Sequence, residues 1–153
     1  MPDAASTLRA ARLADWPAIA DLLTASGLPL DGARAHLASF IVVEREGTIV
    51  GCAGIEPYDD AGLLRSVAVA GSERGRGLGQ QLVAACLERA GASGLTWLVL
   101  RTTSADEFFA RLGFERVHPD AVPAAVKASS QFQGVCSASA VTMRRQVGSH
   151  LSS

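Results

Sequence analysis

No apolar run in this sequence approaches the about 20 residues that a membrane-spanning helix requires. The start, MPDAASTLRA, has no apolar core of the kind a secretion signal carries. Like charges do not accumulate either: no run of lysine and arginine exceeds a pair, and the formal net charge is −1. Neither a nucleic-acid surface nor a polybasic membrane patch is therefore expected, and a small molecule is the expected ligand. Cysteine is scarce. Cys52, Cys86 and Cys136 are far apart, with no CxxC or Cys/His spacing, so no zinc or other metal site is expected. Cys52 and Cys86 lie in apolar runs, where cysteine acts as a small buried hydrophobe. Cys136, in GVCSASA, is not accounted for by packing. A reducing, cytoplasmic setting fits this usage.

What is present is enough apolar material for a core: 48% of 153 residues. With no repeat, linker or low-complexity block, residues 1–147 read as one domain and the small, polar residues 148–153 as a frayed tail. TLRAAR reads as a first strand, followed by a helix capped at Asp15 and stopped at Gly27. LPLDGARAHL suggests a short helix and loop. FIVVEREGTIVGCAGIEP reads as two strands around Arg45-Glu46-Gly47. Residues 62–70 alternate as a fourth strand, with Leu64, Ser66 and Ala68 on one face and Arg65, Val67 and Val69 on the other.

From Gly77 to about Ala90 the apolar positions follow helical spacing, and Gly91 and Gly94 are expected to end that helix. TWLVLRT is a fifth, buried strand. SADEFFARLGF is a helix with Ser104 as N-cap, Glu107 as its capping-box partner and Gly113 as the stop. FERVH gives a sixth strand, VPAAVKASSQF a short helix and SASAVTMRR a last strand. The expected architecture is α/β (α+β): a central mixed sheet of six or seven strands flanked by helices.

The chemistry concentrates in Arg74-Gly75-Arg76-Gly77-Leu78-Gly79. Glycines let a ligand approach the backbone and supply positive φ. The helix that follows offers unpaired N–H groups and a partial positive charge, and the two arginines can pair with phosphate oxygens. A pyrophosphate is the natural guest. Two other phosphate motifs fail on spacing. GxGxxG breaks at Gln80, and no Gly-Lys-Ser/Thr occurs for a Walker loop.

The pattern that fits is R-x-x-G-x-G, filled by Arg74, Gly77 and Gly79 between a strand and a helix. With FFARLGF farther on, the chain resembles the GNAT superfamily of acetyl-CoA-dependent N-acetyltransferases. More narrowly, LLRSVAV, RGRGLG, FFARLGF, VPAAVKASSQF and VCSASAVTM resemble its arsenic-resistance branch, itself similar to the acetyltransferase domain of N-acetylglutamate synthase. The resemblance implies a sheet splayed between strands four and five, with the pantetheine arm of acetyl-CoA bonded to the backbone of Val67 and Val69. It implies that Arg74, Gly75, Arg76, Gly77, Leu78, Gly79 and Gln80 hold the pyrophosphate. Phe108, Phe109 and Arg111 would lie beside the rest of the cofactor. The implied reaction is attack of a neutral amine on the thioester, with a base removing the amine's proton and the Val67 N–H steadying the oxyanion.

Glu56, ending the third strand, is the carboxylate expected as base; it reads equally as a solvated strand-end residue. Asp59 and Asp60 follow in a loop and read as solvated. Many relatives place a tyrosine as general acid four residues before the Gly of FFARLGF. Here that position is Phe109, so either Tyr58, the only tyrosine, substitutes, or the thiolate leaves unaided. Arg65 is placed to bind an acceptor carboxylate, with Ser66, Thr102, Thr103 and Lys127 as further acceptor contacts. For Thr102 and Thr103 the alternative is a strand end, for Ser104 a helix cap, and for Lys127 an exposed helix lysine. Arg34, His36 and Arg101 carry no motif. The expected activity is N-acetylation of a small, acidic, amino-acid-like acceptor, glutamate or an arsenic-containing analogue. The open alternatives are a non-catalytic acetyl-CoA sensor or a protein N-acetyltransferase. A homodimer is an expectation by analogy.

Overall fold

The computed structural model describes residues 6–129 and 140–147. Its strands are β1 (Ser6–Ala10), β2 (Phe40–Arg45), β3 (Thr48–Tyr58), β4 (Ala61–Val69), β5 (Trp97–Thr102), β6 (Glu115–Val117) and β7 (Val141–Gln146). Its α-helices are α1 (Trp16–Ala25), α2 (Leu78–Ala92), α3 (Asp106–Arg111) and α4 (Ala124–Lys127). The strands form one mixed sheet in the order β1-β2-β3-β4-β5-β7-β6. Two compact units are distinguishable. One takes the chain up to Gly54 with Ser66–Cys86; the other takes Ile55–Arg65 and the chain from Leu87 onward.

In the first unit β1, β2 and β3 pair antiparallel in sequence order. The β2–β3 turn is a two-residue loop, and both Glu46 (φ 53°) and Gly47 (φ 78°) are left-handed. That combination matches the twist of the flanking strands. Helix α1 buries Ile19, Leu22 and Leu23, spaced at three and four residues, onto Phe40, Val42, Cys52 and Ala68. Gly27 (φ 70°) follows the helix end as expected. Asp15 plays a different part from the expected cap. Its carboxylate accepts the Arg12 N–H at 2.7 Å and pairs with Arg9 at 2.8 Å, closing a 3-10 turn ahead of α1. The short helix expected from LPLDGARAHL is a 3-10 turn at Arg34–Ser39.

In the second unit β5 pairs antiparallel with β7 along its whole length, and β7 with β6. Ala61, Leu63, Val99, Val122 and Val126 make its apolar cluster, with Tyr58 and Trp97 packed against it. Two sequence expectations change here. Gly91 does not end α2, which runs on to Ala92 before Gly94 (φ 84°). Ser104 does not cap α3 either: the Thr102 hydroxyl accepts the Ala105 N–H at 3.0 Å, and α3 starts at Asp106.

Strand β4 departs from simple alternation. Ser66 is left-handed (φ 60°), a conformation that costs a non-glycine residue roughly 1–2 kcal/mol. The two-residue period is interrupted there, so Arg65 does not simply share a face with Val67 and Val69. Parallel pairing of β4 with β5 joins Ala61, Gly62 and Leu63 to Trp97, Leu98 and Val99. Among the described residues no pair continues it beyond Leu63.

Candidate active site

The basic loop enters α2 from a 3-10 turn at Gly71–Glu73. Gly75 (φ 84°) and Gly77 (φ 80°) are both left-handed, and a Cβ at either would meet nothing within 4 Å. Glycine is needed here for backbone conformation in open space, not for tight packing. The first helical bond runs from the Gln81 N–H to the Gly77 carbonyl at 3.1 Å. The N–H groups of Leu78, Gly79 and Gln80 thus precede the helical ladder and face the helix's positive end. The Leu78 side chain is buried, which fixes that end to the core, while Arg74, Gly75, Arg76, Gly77 and Gln80 are exposed. Arg74 donates to the Val69 carbonyl at 3.3 Å. Glu73 lies 3.3 Å from Arg45 and 3.8 Å from Arg76.

The second unit holds a buried polar cluster. On β3 Glu56 is 2% exposed, and its Oε2 accepts from Arg65 Nη1 at 2.6 Å. Arg65 on β4 has a fully buried side chain. The other carboxylate oxygen, Oε1, accepts the Tyr58 hydroxyl at 2.5 Å. Ser129 is buried as well, and its hydroxyl works to lower both the Glu56 carboxyl and the Tyr58 phenol. Burial alone would push the Glu56 carboxyl up, but hydrogen bonds from Tyr58, Ser129 and Arg65, with the Arg65 charge, hold it below the usual range. Burial also raises the Tyr58 phenol, and the Glu56 carboxylate raises it further. The result is an ionised carboxylate and a neutral phenol sharing one short bond.

Glu56, Tyr58 and Arg65 were each legible as candidates, and the fold brings the three together. Ser129 was missed, since no local pattern marks it; only the path of α4 carries it to β3. Of the remaining acceptor candidates, Ser66 holds the left-handed kink, and its carbonyl accepts the Cys52 thiol at 3.3 Å. Thr102 serves the loop before α3, and Thr103 is exposed. Lys127 closes α4 and lies 3.8 Å from Asp120. Phe109 is buried edge-on against Phe108 (5.0 Å) and Phe114 (5.6 Å), and Arg111 is exposed. Asp59 (φ 58°) and Asp60 form the β3–β4 turn. Burial and the neighbouring Cys86 push the Cys52 thiol up to about 12. Cys136 lies outside the described residues, as do the last residues of VPAAVKASSQF. Among the described residues no group of three or more His, Cys, Asp or Glu could hold a metal ion. No helix among them is long and apolar enough to cross a membrane.

A mixed sheet whose β4–β5 pairing stops early, followed by an arginine-glycine loop that opens a helix, defines a class. Residues 36–116 match the acetyltransferase (GNAT) domain, and the chain belongs to that family. Among curated proteins, it is similar to the amino-acid acetyltransferase of Neisseria meningitidis serogroup A. The two are 29% identical over 126 residues, which is 76% of this chain and 29% of that protein. The amino-acid acetyltransferase of Ectopseudomonas mendocina is 38% identical over 92 residues, covering 59% of this chain and 21% of its own. The chain therefore spans less than a third of these relatives.

Among solved structures, N-acetylglutamate synthase from Neisseria gonorrhoeae, complexed with coenzyme A and N-acetyl-glutamate, superposes with a TM-score of 0.82 at 24% identity. The match covers 96% of this chain and 36% of that one, a likeness of fold. Rv2747 from Mycobacterium tuberculosis, in complex with CoA and NLQ, gives 0.76 at 25% identity over 93% of this chain and 99% of that one.

Proposed function

We propose that the chain is an acetyl-CoA-dependent N-acetyltransferase whose acceptor is the amine of a small, acidic, amino-acid-like molecule. The observation that carries the reading is the loop Arg74–Gly79. Two left-handed glycines with open space around them, two exposed arginines and three N–H groups at the head of α2 follow one another along this stretch, a donor set suited to a pyrophosphate. Bound acetyl-CoA supplies the thioester. Val67 and Val69 offer main-chain groups to the pantetheine arm, and the Val67 N–H is the donor for the oxyanion. Phe108, Phe109 and Arg111 line the rest of the cofactor. Glu56, held ionised, draws the proton from the acceptor's amine, directly or through water. Tyr58 is the proton donor available to the departing thiolate.

Arg65, oriented by Glu56, and Lys127 supply positive charge for an acidic acceptor; Ser66, Thr102 and Thr103 supply hydroxyls. The likeness to amino-acid acetyltransferases supports glutamate as the first acceptor to try. An arsenic-containing glutamate analogue belongs to the same chemical class and rests on the sequence motifs alone. A second reading, a catalytically silent acetyl-CoA sensor, is favoured by one observation: Phe109 stands where relatives carry the acidic tyrosine. Release of CoA thiol from acetyl-CoA, followed over glutamate, glutamine, aspartate, phosphinic and arsinic glutamate analogues, polyamines and a lysine peptide, decides between them. Selective release with one acidic amino acid supports the enzyme. Silence throughout, with acetyl-CoA still binding, supports the sensor, and release with the peptide alone supports protein acetylation.

A further inference from the structure

Helix α3 is six residues long, too short to be stable by itself, and it is held at both ends by arginines of the sheet. The strand register identifies their face. Arg116 on β6 stands opposite Met143 on β7, and Arg145 lies two residues beyond Met143, so both side chains leave the same side of the sheet. Arg116 holds the first helical residue: its Nη2 lies 2.8 Å and its Nε 3.3 Å from Asp106 Oδ2. Arg145 closes the other end, where its Nη1 donates to the Leu112 carbonyl at 3.1 Å. A cation is favoured there, because carbonyls without helical partners point out of that end. Gly113 leaves the arginine its room. It is left-handed (φ 94°), and a Cβ there would come within 3.2 Å of Arg145 Nε. Between the two holds, the Phe114 N–H bonds to the Phe109 carbonyl at 3.1 Å, and the Phe109 ring is buried. Arg144, next to Arg145, faces the other way: it lies 3.5 Å from Glu115 and 4.5 Å from the centre of the Trp97 ring.

We propose that Arg145 is a positioning residue for acetyl-CoA: by holding the last turn of α3, it fixes Phe108, Phe109 and Arg111 where the cofactor lies against them. The inference rests on the function proposed above, in which these three residues line the cofactor. Arg145 acts through the helix. Without it, the last turn keeps the Phe109 ring as an anchor but loses the donor that answers its end carbonyl. A helix that occupies its binding position for only part of the time lowers the apparent affinity by that fraction. A merely structural arginine would behave differently. Its loss would lower the unfolding temperature and leave the affinity of the folded protein unchanged.

The test titrates acetyl-CoA calorimetrically into the full chain and its Arg145→Met, Arg145→Lys and Arg144→Met variants, at a temperature where circular dichroism shows each folded. Arg145→Met should bind acetyl-CoA about fivefold or more weakly than wild type. Arg145→Lys, whose ammonium can still donate to the Leu112 carbonyl, should bind near wild type. Arg144→Met removes an equal charge from the neighbouring position on the other face, and it should also bind near wild type. Unchanged affinity in folded Arg145→Met overturns the proposal. So does an equal loss in Arg144→Met, which would make the effect one of general charge. An Arg145→Lys as weak as Arg145→Met overturns it too, because the donor at Leu112 would not be what matters. Should Arg145→Met not fold, Arg145→Gln takes its place with the same expected loss, since its shorter amide keeps a polar end without reaching Leu112. Wild type that binds no acetyl-CoA would overturn the function proposed above and this inference with it. Wild type that binds, beside an unaffected Arg145→Met, overturns this inference alone.

Discussion

The Arg74–Gly79 loop and the Glu56–Arg65 cluster are both polar, and they are built on opposite principles. The loop uses main-chain N–H groups and conformation, stands exposed, and is tied down where Leu78 enters the core and where Arg74 meets the Val69 carbonyl. The cluster uses side chains, buries Glu56 and Arg65, and depends on each member answering another. Substitution should therefore separate them. Changes in the loop remove binding and spare stability, whereas changes in the cluster cost stability as well as chemistry.

The largest expected effect lies in the cluster. Arg65→Met leaves Glu56 buried without its cation and should destabilise the protein by about 3–5 kcal/mol, read by urea unfolding at neutral pH. Glu56→Gln tests the same pair through pH. The Glu56 carboxyl lies lower in the folded state than in the unfolded chain, so its contribution is complete above the unfolded value of about 4.3 and is lost as pH falls through the folded value. The stability gap between wild type and Glu56→Gln should accordingly narrow once the pH drops below about 4. A gap that widens on acidification would mean that the carboxylate is not stabilised by its donors.

In the loop, Gly77→Ala forces a side chain into a left-handed position (φ 80°) with free space around it. The strain is about 1–2 kcal/mol, smaller than the cluster effect, and thermal unfolding should shift only modestly. Smaller again is Asp15→Asn in the first unit. Its hydrogen bond to Arg9, working against burial and aided by the Arg12 N–H, brings the Asp15 carboxyl from 3.8 to about 2. The difference from wild type should be present at neutral pH and vanish as the pH approaches 2, by the same sign argument. Smallest of all, the native protein should resist alkylation at Cys52, whose thiol is buried and protonated at neutral pH. Mass spectrometry after brief iodoacetamide treatment checks this.

The same contrast explains how much the sequence revealed. The loop was readable because its requirements are local: glycine where φ is positive, exposed arginines beside it, and a helix start immediately after. The hairpin at Glu46-Gly47 and the stop at Gly27 were readable for the same reason. The cluster was only half readable. Glu56, Tyr58 and Arg65 stand out as polar residues in apolar strands, but their pairing is a tertiary fact. Ser129 sits in an ordinary-looking helix end, and nothing nearby distinguishes it from a solvated serine. The left-handed Ser66 was hidden because serine has no preference that announces it, and the strand's alternation runs smoothly through the letters. Thr102 took the place assigned to Ser104 because the strand end sets which hydroxyl reaches the next free N–H groups. Gly91 stayed inside α2 because a single helical glycine costs only about 1 kcal/mol, less than the neighbouring burial of Ala90 and the continuing ladder return.

The most direct test is a calorimetric titration of acetyl-CoA into wild type, Arg74→Ala, Gly77→Ala and Glu56→Gln. One acetyl-CoA should bind per chain. Affinity should fall about tenfold or more, roughly 1.4 kcal/mol, in both loop variants, and stay near wild type in folded Glu56→Gln. Unchanged affinity in the loop variants would contradict the account, because the glycine-arginine loop would then not be where the pyrophosphate is held.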